Sequence, residues 1–289
     1  MSIVVTGASG HLGRLTVAHL LELGVPAEEI TATTRDVDRL KDLAEKGVAV
    51  HAADYTDTAS LRAAFRGADR LLLVSGHPGS DRLAEHRNAV EAARAAGVGL
   101  LAYTSVVNAQ TSGMIVAADH AATETLIADS GLSFVFLCNN WYHENYTARI
   151  SAFLQHGTVI GGAGDGRVSG AARADYAEAA AEVLTGHGHE NRIYELGGDP
   201  GYTLTELAAE ITRQSGTEVR YRDVPETAHL SVLAETGLPE PMAQLLADVD
   251  QGIRRGGLYT DSGDLARLIG RPTTPLATAI ATATALAAV

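Results

Sequence analysis

Gly7, Gly10 and Gly13 stand three residues apart directly after the apolar run Ile3-Val4-Val5, and a helical pattern opens at Leu12. Glycine tolerates a sharp turn, lets a ligand approach the backbone and lets a helix lie close to a strand. Gly7 is placed to turn the chain, Gly10 to admit a pyrophosphate, and Gly13 to seat the helix. The segment Ser9-Gly10-His11-Leu12-Gly13 then offers backbone N–H groups and the positive end of a helix dipole to phosphates. A glycine cluster between a strand and a helix predicts dinucleotide binding. Arg35 follows the second strand, Glu29 to Thr34, about twenty residues on, where an NADP-binding chain can place an arginine for the 2′-phosphate and an NAD-binding chain an acid for the ribose. Thr33-Thr34-Arg35 favours NADPH; Asp36 keeps NADH as the alternative. Asp54, after a third strand at Val48 to His51, is set either to accept from the adenine amino group or to hold a turn.

A frame must hold these groups together. Helical patterns at Leu12 to Leu23, Val37 to Lys46, Thr58 to Phe65, Leu83 to Ala96 and Ala118 to Ser130 alternate with apolar strands, among them Leu71 to Val74, Leu100 to Thr104 and Phe134 to Leu137. Six alternating units predict an α/β fold with a doubly wound parallel sheet of Rossmann type. Ligands in such sheets lie beyond the carboxyl ends of the strands. That gathers the glycine turn, Ser75, Gly76 and His77, Thr104 and Ser105, and the stretch from Cys138 to Glu144. The expected division is a cofactor-binding domain over 1–150 and a smaller mixed substrate-binding portion over 151–289 that shares the core. The latter holds a helix at Arg173 to Leu184, strands at Ile193 to Leu196 and Val219 to Arg222, and a capping box at Thr203 to Glu206.

Composition narrows the class. The 289 residues are 46% hydrophobic, enough for a substantial core. A net charge of −13 opposes binding to nucleic acid, whose phosphates it would repel. Cys138 is the single cysteine, so no intrachain disulfide forms and a reducing, cytoplasmic setting is expected. No signal peptide or membrane span is expected. The uncharged tail Thr273 to Val289, interrupted by Pro275, reads as a helix on the body. His187 and His189 lack the companions of a metal site, so no metal is expected. A homodimer is compatible with the sequence.

Several segments carry a family resemblance: Val5 to Gly13, Ala53-Asp54-Tyr55, Ala102-Tyr103-Thr104-Ser105, Asp119-His120 with Thr123-Glu124, Asn139 with Trp141-Tyr142, and Glu144-Asn145-Tyr146. Gly164-Asp165-Gly166, Arg173 to Tyr176, Gly188-His189-Glu190 and Leu268-Ile269-Gly270 extend it over nearly the whole chain. The chain resembles the NmrA-like atypical short-chain dehydrogenases. It is most similar to their flavin-free NADPH-dependent quinone oxidoreductases and triphenylmethane reductases. The resemblance implies NADPH in the sheet half and a substrate pocket in the C-terminal half. The chain departs from those relatives at Cys138, Asn140 and Thr125, where they usually carry arginine, glycine or alanine, and lysine.

Ordinary short-chain dehydrogenases protonate an alkoxide with Tyr-x-x-x-Lys. Here Lys41 and Lys46 are the only lysines, and neither follows a tyrosine at that spacing. The chemistry therefore suits acceptors that carry their own charge after hydride arrives: quinones, or cationic dyes that need only hydride. A simple ketone would need a positioned donor. His120 is the candidate for that role, since a catalytic lysine falls near this position in isoflavone-reductase-like relatives. Asn139 is expected to bind the nicotinamide amide or ribose, and Asn139 and Tyr142 join His120 as candidate catalytic residues. His77, Asn140, Trp141 and Tyr142 are expected to hold a flat acceptor. Two alternatives stay open: a non-catalytic NADP(H)-sensing regulator of NmrA type, or a reductase of dyes, imines or carbonyls.

Overall fold

The structure is a computed structural model that describes residues 1–76 and 80–287. Among the described residues nine strands form in chain order: β1 Ile3–Val5, β2 Ile30–Thr34, β3 Ala49–Ala52, β4 Arg70–Leu73, β5 Leu100–Val106, β6 Phe134–Asn139, β7 Thr158–Gly161, β8 Arg192–Leu196 and β9 Arg220–Asp223. Seven make one sheet in the order β3-β2-β1-β4-β5-β6-β8, and β7 pairs with β9 in a second, two-stranded sheet. The pairings β3–β2, β2–β1, β1–β4 and β4–β5 are all parallel. Strand order reverses direction between β1 and β4, the switch point where such sheets receive ligands. β5 is buried along its whole length and β1 throughout, as strands covered by helices on both faces must be.

The chain divides into two compact units. The first comprises 1–106, 119–138 and 174–194; the second comprises 107–118, 139–173 and 195–289. The position near 150 where a boundary was expected lies inside the second unit. The first unit's core joins Val4, Leu71 and Leu101 of the sheet to Leu61, Phe65 and Val90 of the helices over it.

Some elements differ from expectation. Val37 to Lys46 is a 3-10 turn, Val37–Leu40, followed by a short helix, Lys41–Glu45. Leu40 leaves helical geometry between them, at φ −122° and ψ 18°. Ile193 to Leu196 belongs to β8 of the main sheet. β7 was not expected; its four residues are too few for a clear alternation. The uncharged tail is helical over Leu276–Ala287. Among the described residues, no helix is long and apolar enough to cross a membrane.

Candidate functional site

In the first unit, β1 ends at Val5 and Gly7 turns the chain at φ +59°, a conformation that favours glycine. A helix spans His11–Glu22, with no side-chain cap at Gly10 and no acidic residue in its first turn. Neither the cap nor the first turn thus offers an anion to its first N–H groups and positive dipole end. A Cβ on Gly13 would lie 2.7 Å from the Gly7 carbonyl oxygen and 3.0 Å from Ala8 Cα, so only glycine lets helix and turn meet. A Cβ on Gly10 would lie 3.2 Å from the same carbonyl. This uncapped, bare-backbone turn fits the pyrophosphate of a dinucleotide.

The end of β2 joins this turn through Thr34, whose hydroxyl donates to Ser9 Oγ at 2.9 Å. Arg35 is exposed, and so is Arg39, whose Nη2 lies 3.4 Å from the Ser9 carbonyl. Arg14 donates to the Arg39 carbonyl and pairs with Asp42 at 2.6 Å. Asp36, the acid that kept NADH open, caps the following 3-10 turn by accepting from Asp38 N–H at 3.1 Å. Arg39 therefore places a cation beside Ser9. Arg39 was not singled out from sequence, although its place four residues after Arg35 was a signal.

Asp54 Oδ1 accepts from the backbone N–H of Thr56 at 2.8 Å and from its hydroxyl at 2.7 Å. Those hydrogen bonds hold its carboxyl below the usual carboxylate range, with help from the Arg35 charge. Asp54 thus holds a turn within electrostatic reach of Arg35.

Ser75 donates its backbone N–H to Thr104 Oγ1 at 2.9 Å, and Gly76 donates its own to His86 Nε2 at 3.0 Å. These bonds fix the chain after β4 to β5 and to the Arg82–Ala96 helix. His77 lies outside the described residues. Ser105 donates to Glu124 Oε1 at 2.5 Å, and the Cys138 thiol lies 3.7 Å from the same oxygen. Both Ser105 and Glu124 are buried. His120, on the Ile115–Ala128 helix, is buried with its Nδ1 2.8 Å from the Tyr103 hydroxyl. Burial, with the Arg82 charge nearby, pushes its pKa down to about 3. It is therefore uncharged at neutral pH, unlike the imidazolium that strong acid catalysis would require. Lys41 is exposed and pairs with Asp38, and Lys46 is also exposed.

In the second unit, Asn139 donates from Nδ2 to the Tyr142 hydroxyl at 3.3 Å, while its Oδ1 is buried without a hydrogen-bond partner among the described residues. A buried amide oxygen left this way is available to a donor from a ligand. Asn140 spends both ends of its amide on the main chain, accepting from Trp141 N–H at 2.7 Å and donating to the Leu258 carbonyl at 3.1 Å. It is buried and shapes the turn. Trp141 and Tyr142 are half-buried, and the Arg173 guanidinium sits 4.8 Å above the Tyr142 ring. One face of Tyr142 is thereby taken. Among the described residues no group of three or more His, Cys, Asp or Glu is arranged to hold a metal.

Residues 7–187 match the model of a family described as NAD(P)H-binding. The chain is 46% identical over 278 residues to quinone oxidoreductase 2 of Escherichia coli strain K12, covering 96% of this chain and 97% of that protein. The crystal structure of an Escherichia coli NADPH-dependent quinone oxidoreductase complexed with NADPH matches with a TM-score of 0.95 at 46% identity, over 97% of this chain and 99% of that one. The Citrobacter sp. triphenylmethane reductase complexed with NADP(H) matches with a TM-score of 0.92 at 38% identity, over 98% of this chain and 100% of that one.

Proposed function

The chain belongs to the NAD(P)H-binding family, and on that premise we propose that it is an NADPH-dependent oxidoreductase transferring hydride to quinones or similar flat, electron-poor acceptors. NADPH supplies the hydride when bound. The uncapped helix start at His11 to Gly13 would hold the pyrophosphate, and Arg35 with Arg39 the 2′-phosphate. Asn139 Oδ1 would accept from a donor group of a ligand. Trp141 and Tyr142 would support a planar ring.

The observation that carries the acceptor class is the protonation machinery. The two lysines are exposed on the segment after β2, and His120 is held neutral. A quinone suits such a site because hydride addition leaves a charge spread over an aromatic ring, which water can protonate. An aliphatic alkoxide would need an acid beside it. Trp141, Tyr142 and the unpartnered Asn139 oxygen also favour an enzyme over a cofactor sensor.

The test is kcat/KM with NADPH for one quinone and one unactivated aliphatic ketone. General acid catalysis typically contributes ~100- to 10,000-fold, so the quinone should lead by a gap of that order. Equal turnover of both would reject the acceptor class. No NADPH oxidation with any quinone would favour the sensor. Assembly as a homodimer and a cytoplasmic setting belong to the same proposal, and sedimentation of the purified protein tests the first.

A further inference from the structure

The end of β5, the Arg82–Ala96 helix and the Ile115–Ala128 helix enclose a chain of polar groups whose direction is set by its ends. The Gly76 backbone N–H can only donate, and it donates to His86 Nε2 at 3.0 Å. A neutral His86 then carries its hydrogen on Nδ1, 2.9 Å from Thr123 Oγ1. The Thr123 hydroxyl gives its one hydrogen to the Asp119 carbonyl at 2.8 Å. Every link is satisfied in that one direction.

Tyr103 lies beside this chain and is fully buried. Its hydroxyl lies 2.8 Å from His120 Nδ1, with the Thr123 side chain as its other hydrogen-bond neighbour. The Thr123 oxygen already accepts from His86 Nδ1 and gives its own hydrogen to Asp119, so the Tyr103 hydrogen goes to His120 and Nδ1 accepts. A neutral imidazole that accepts at Nδ1 carries its hydrogen on Nε2. His120 Nε2 has no protein partner among the described residues, and it is absent from the enclosed polar atoms that lack one. Among the described residues it is therefore a donor that no protein acceptor takes up.

We propose that His120 acts on the electron acceptor as a neutral hydrogen-bond donor through Nε2, with Tyr103 as its positioning residue. The inference rests on the quinone-reductase reading. The quinone takes hydride and becomes a hydroquinone monoanion while NADPH is oxidised to NADP+. The Nε2–H group donates to the oxygen on which charge develops and keeps its hydrogen throughout. Water then supplies the proton that completes the hydroquinone. A fixed donor aimed at developing charge lowers the barrier without a change of protonation.

The charged and titratable groups facing His120 agree with this. Arg82 on one helix is buried, with its Nη1 3.9 Å from the Asp119 carboxylate. Its charge opposes a second positive charge on either His120 or His86. Glu124 follows one turn later on the helix of His120, but its Oε1 accepts from Ser105. Burial pushes both imidazoles down to about 3.

The experiment is nitrogen NMR of histidine-labelled full-length protein with NADP+, the His120 signals being assigned by their loss in His120→Gln. His120 should show the Nε2–H tautomer and stay neutral from about pH 5 to pH 9. Tyr103→Phe frees Nδ1, so the tautomers should mix, and kcat for a quinone should fall with KM unchanged. His120→Gln offers an amide donor at a similar reach and should keep most of the rate, whereas His120→Ala should lose about 100-fold in kcat. An Nδ1–H tautomer, an imidazolium titrating near neutrality, or a wild-type rate in His120→Ala overturns the inference. Quinone reduction with the wrong tautomer sinks this inference alone. The expected tautomer without quinone reduction sinks the functional reading instead.

Discussion

Tyr55 ties the ends of β1 and β4 together: its hydroxyl lies 2.6 Å from the Val74 carbonyl oxygen and 2.6 Å from Thr6 Oγ1. Thr6 in turn donates to the Leu72 carbonyl at 3.0 Å and accepts from Val74 N–H at 2.9 Å. The two strands on either side of the switch point are thus held by side chains exactly where their backbone ladder stops. Tyr55→Phe would leave buried polar partners short of one bond, at a cost of ~1–3 kcal/mol in stability. Chemical denaturation should show that loss, and NADPH should bind more weakly to the loosened turn. An unchanged unfolding midpoint would mean that the lock contributes nothing.

Cofactor choice follows from the arginines beside Ser9. Arg35→Ala should weaken NADPH by on the order of 1.5–3 kcal/mol and leave NADH nearly untouched, because the lost partner is the 2′-phosphate. Arg39→Ala should act in the same direction. Fluorescence titration of both cofactors checks this. Equal affinity of the unmodified protein for NADPH and NADH would defeat the assignment.

The glycines of the turn should separate into two kinds. Gly10→Val places a branched side chain where the pyrophosphate approaches, so NADPH titration should vanish with the fold largely kept. Gly13→Ala drives a Cβ to within 2.7 Å of the Gly7 carbonyl, so it should lower stability as well as binding. Circular dichroism melts beside the titrations distinguish the two. A stable, binding-competent Gly13→Ala would show that helix and turn have more room than the geometry allows.

In the second unit, Asp250 carries a stability signature. It is buried, accepts from the Gly162 N–H at 2.7 Å and lies 3.3 Å from His229 Nδ1. Burial raises its pKa to about 6 from 3.8, while burial also lowers that of His229, so the pair has ion-pair geometry without a full opposing charge. The sign follows: between about pH 4 and pH 6 the unfolded chain ionises this group and the folded chain does not, so stability falls as pH rises through that window. Asp250→Asn, which keeps an acceptor for Gly162, should stabilise the protein by on the order of 2–3 kcal/mol above pH 6 and by almost nothing near pH 4. Denaturation at pH 4 and pH 8 tests it. A variant that is destabilised at pH 8 would show that the charge is more useful than its burial is costly.

The sequence by itself determined the class of fold and the cofactor turn. Local patterns carried both: apolar strands alternating with helical periodicity, and Gly7, Gly10 and Gly13 between a strand and a helix. Backbone sterics permit few alternatives at such a turn, so short-range information was enough. The absence of any usable lysine was equally legible, since a missing residue type does not depend on folding. Asp54 and Asn140 were different. Their types suit ligand binding and turn building alike, and only the fold revealed that Asp54 accepts from Thr56 and that the Asn140 amide is spent on Trp141 and Leu258. The state of His120 was also beyond the sequence. Whether an imidazole is charged, and which nitrogen bears its hydrogen, depends on burial, on the Arg82 charge and on the hydroxyl of Tyr103, seventeen positions earlier in the chain. Those are contacts between separate elements, and tertiary packing alone brings them together.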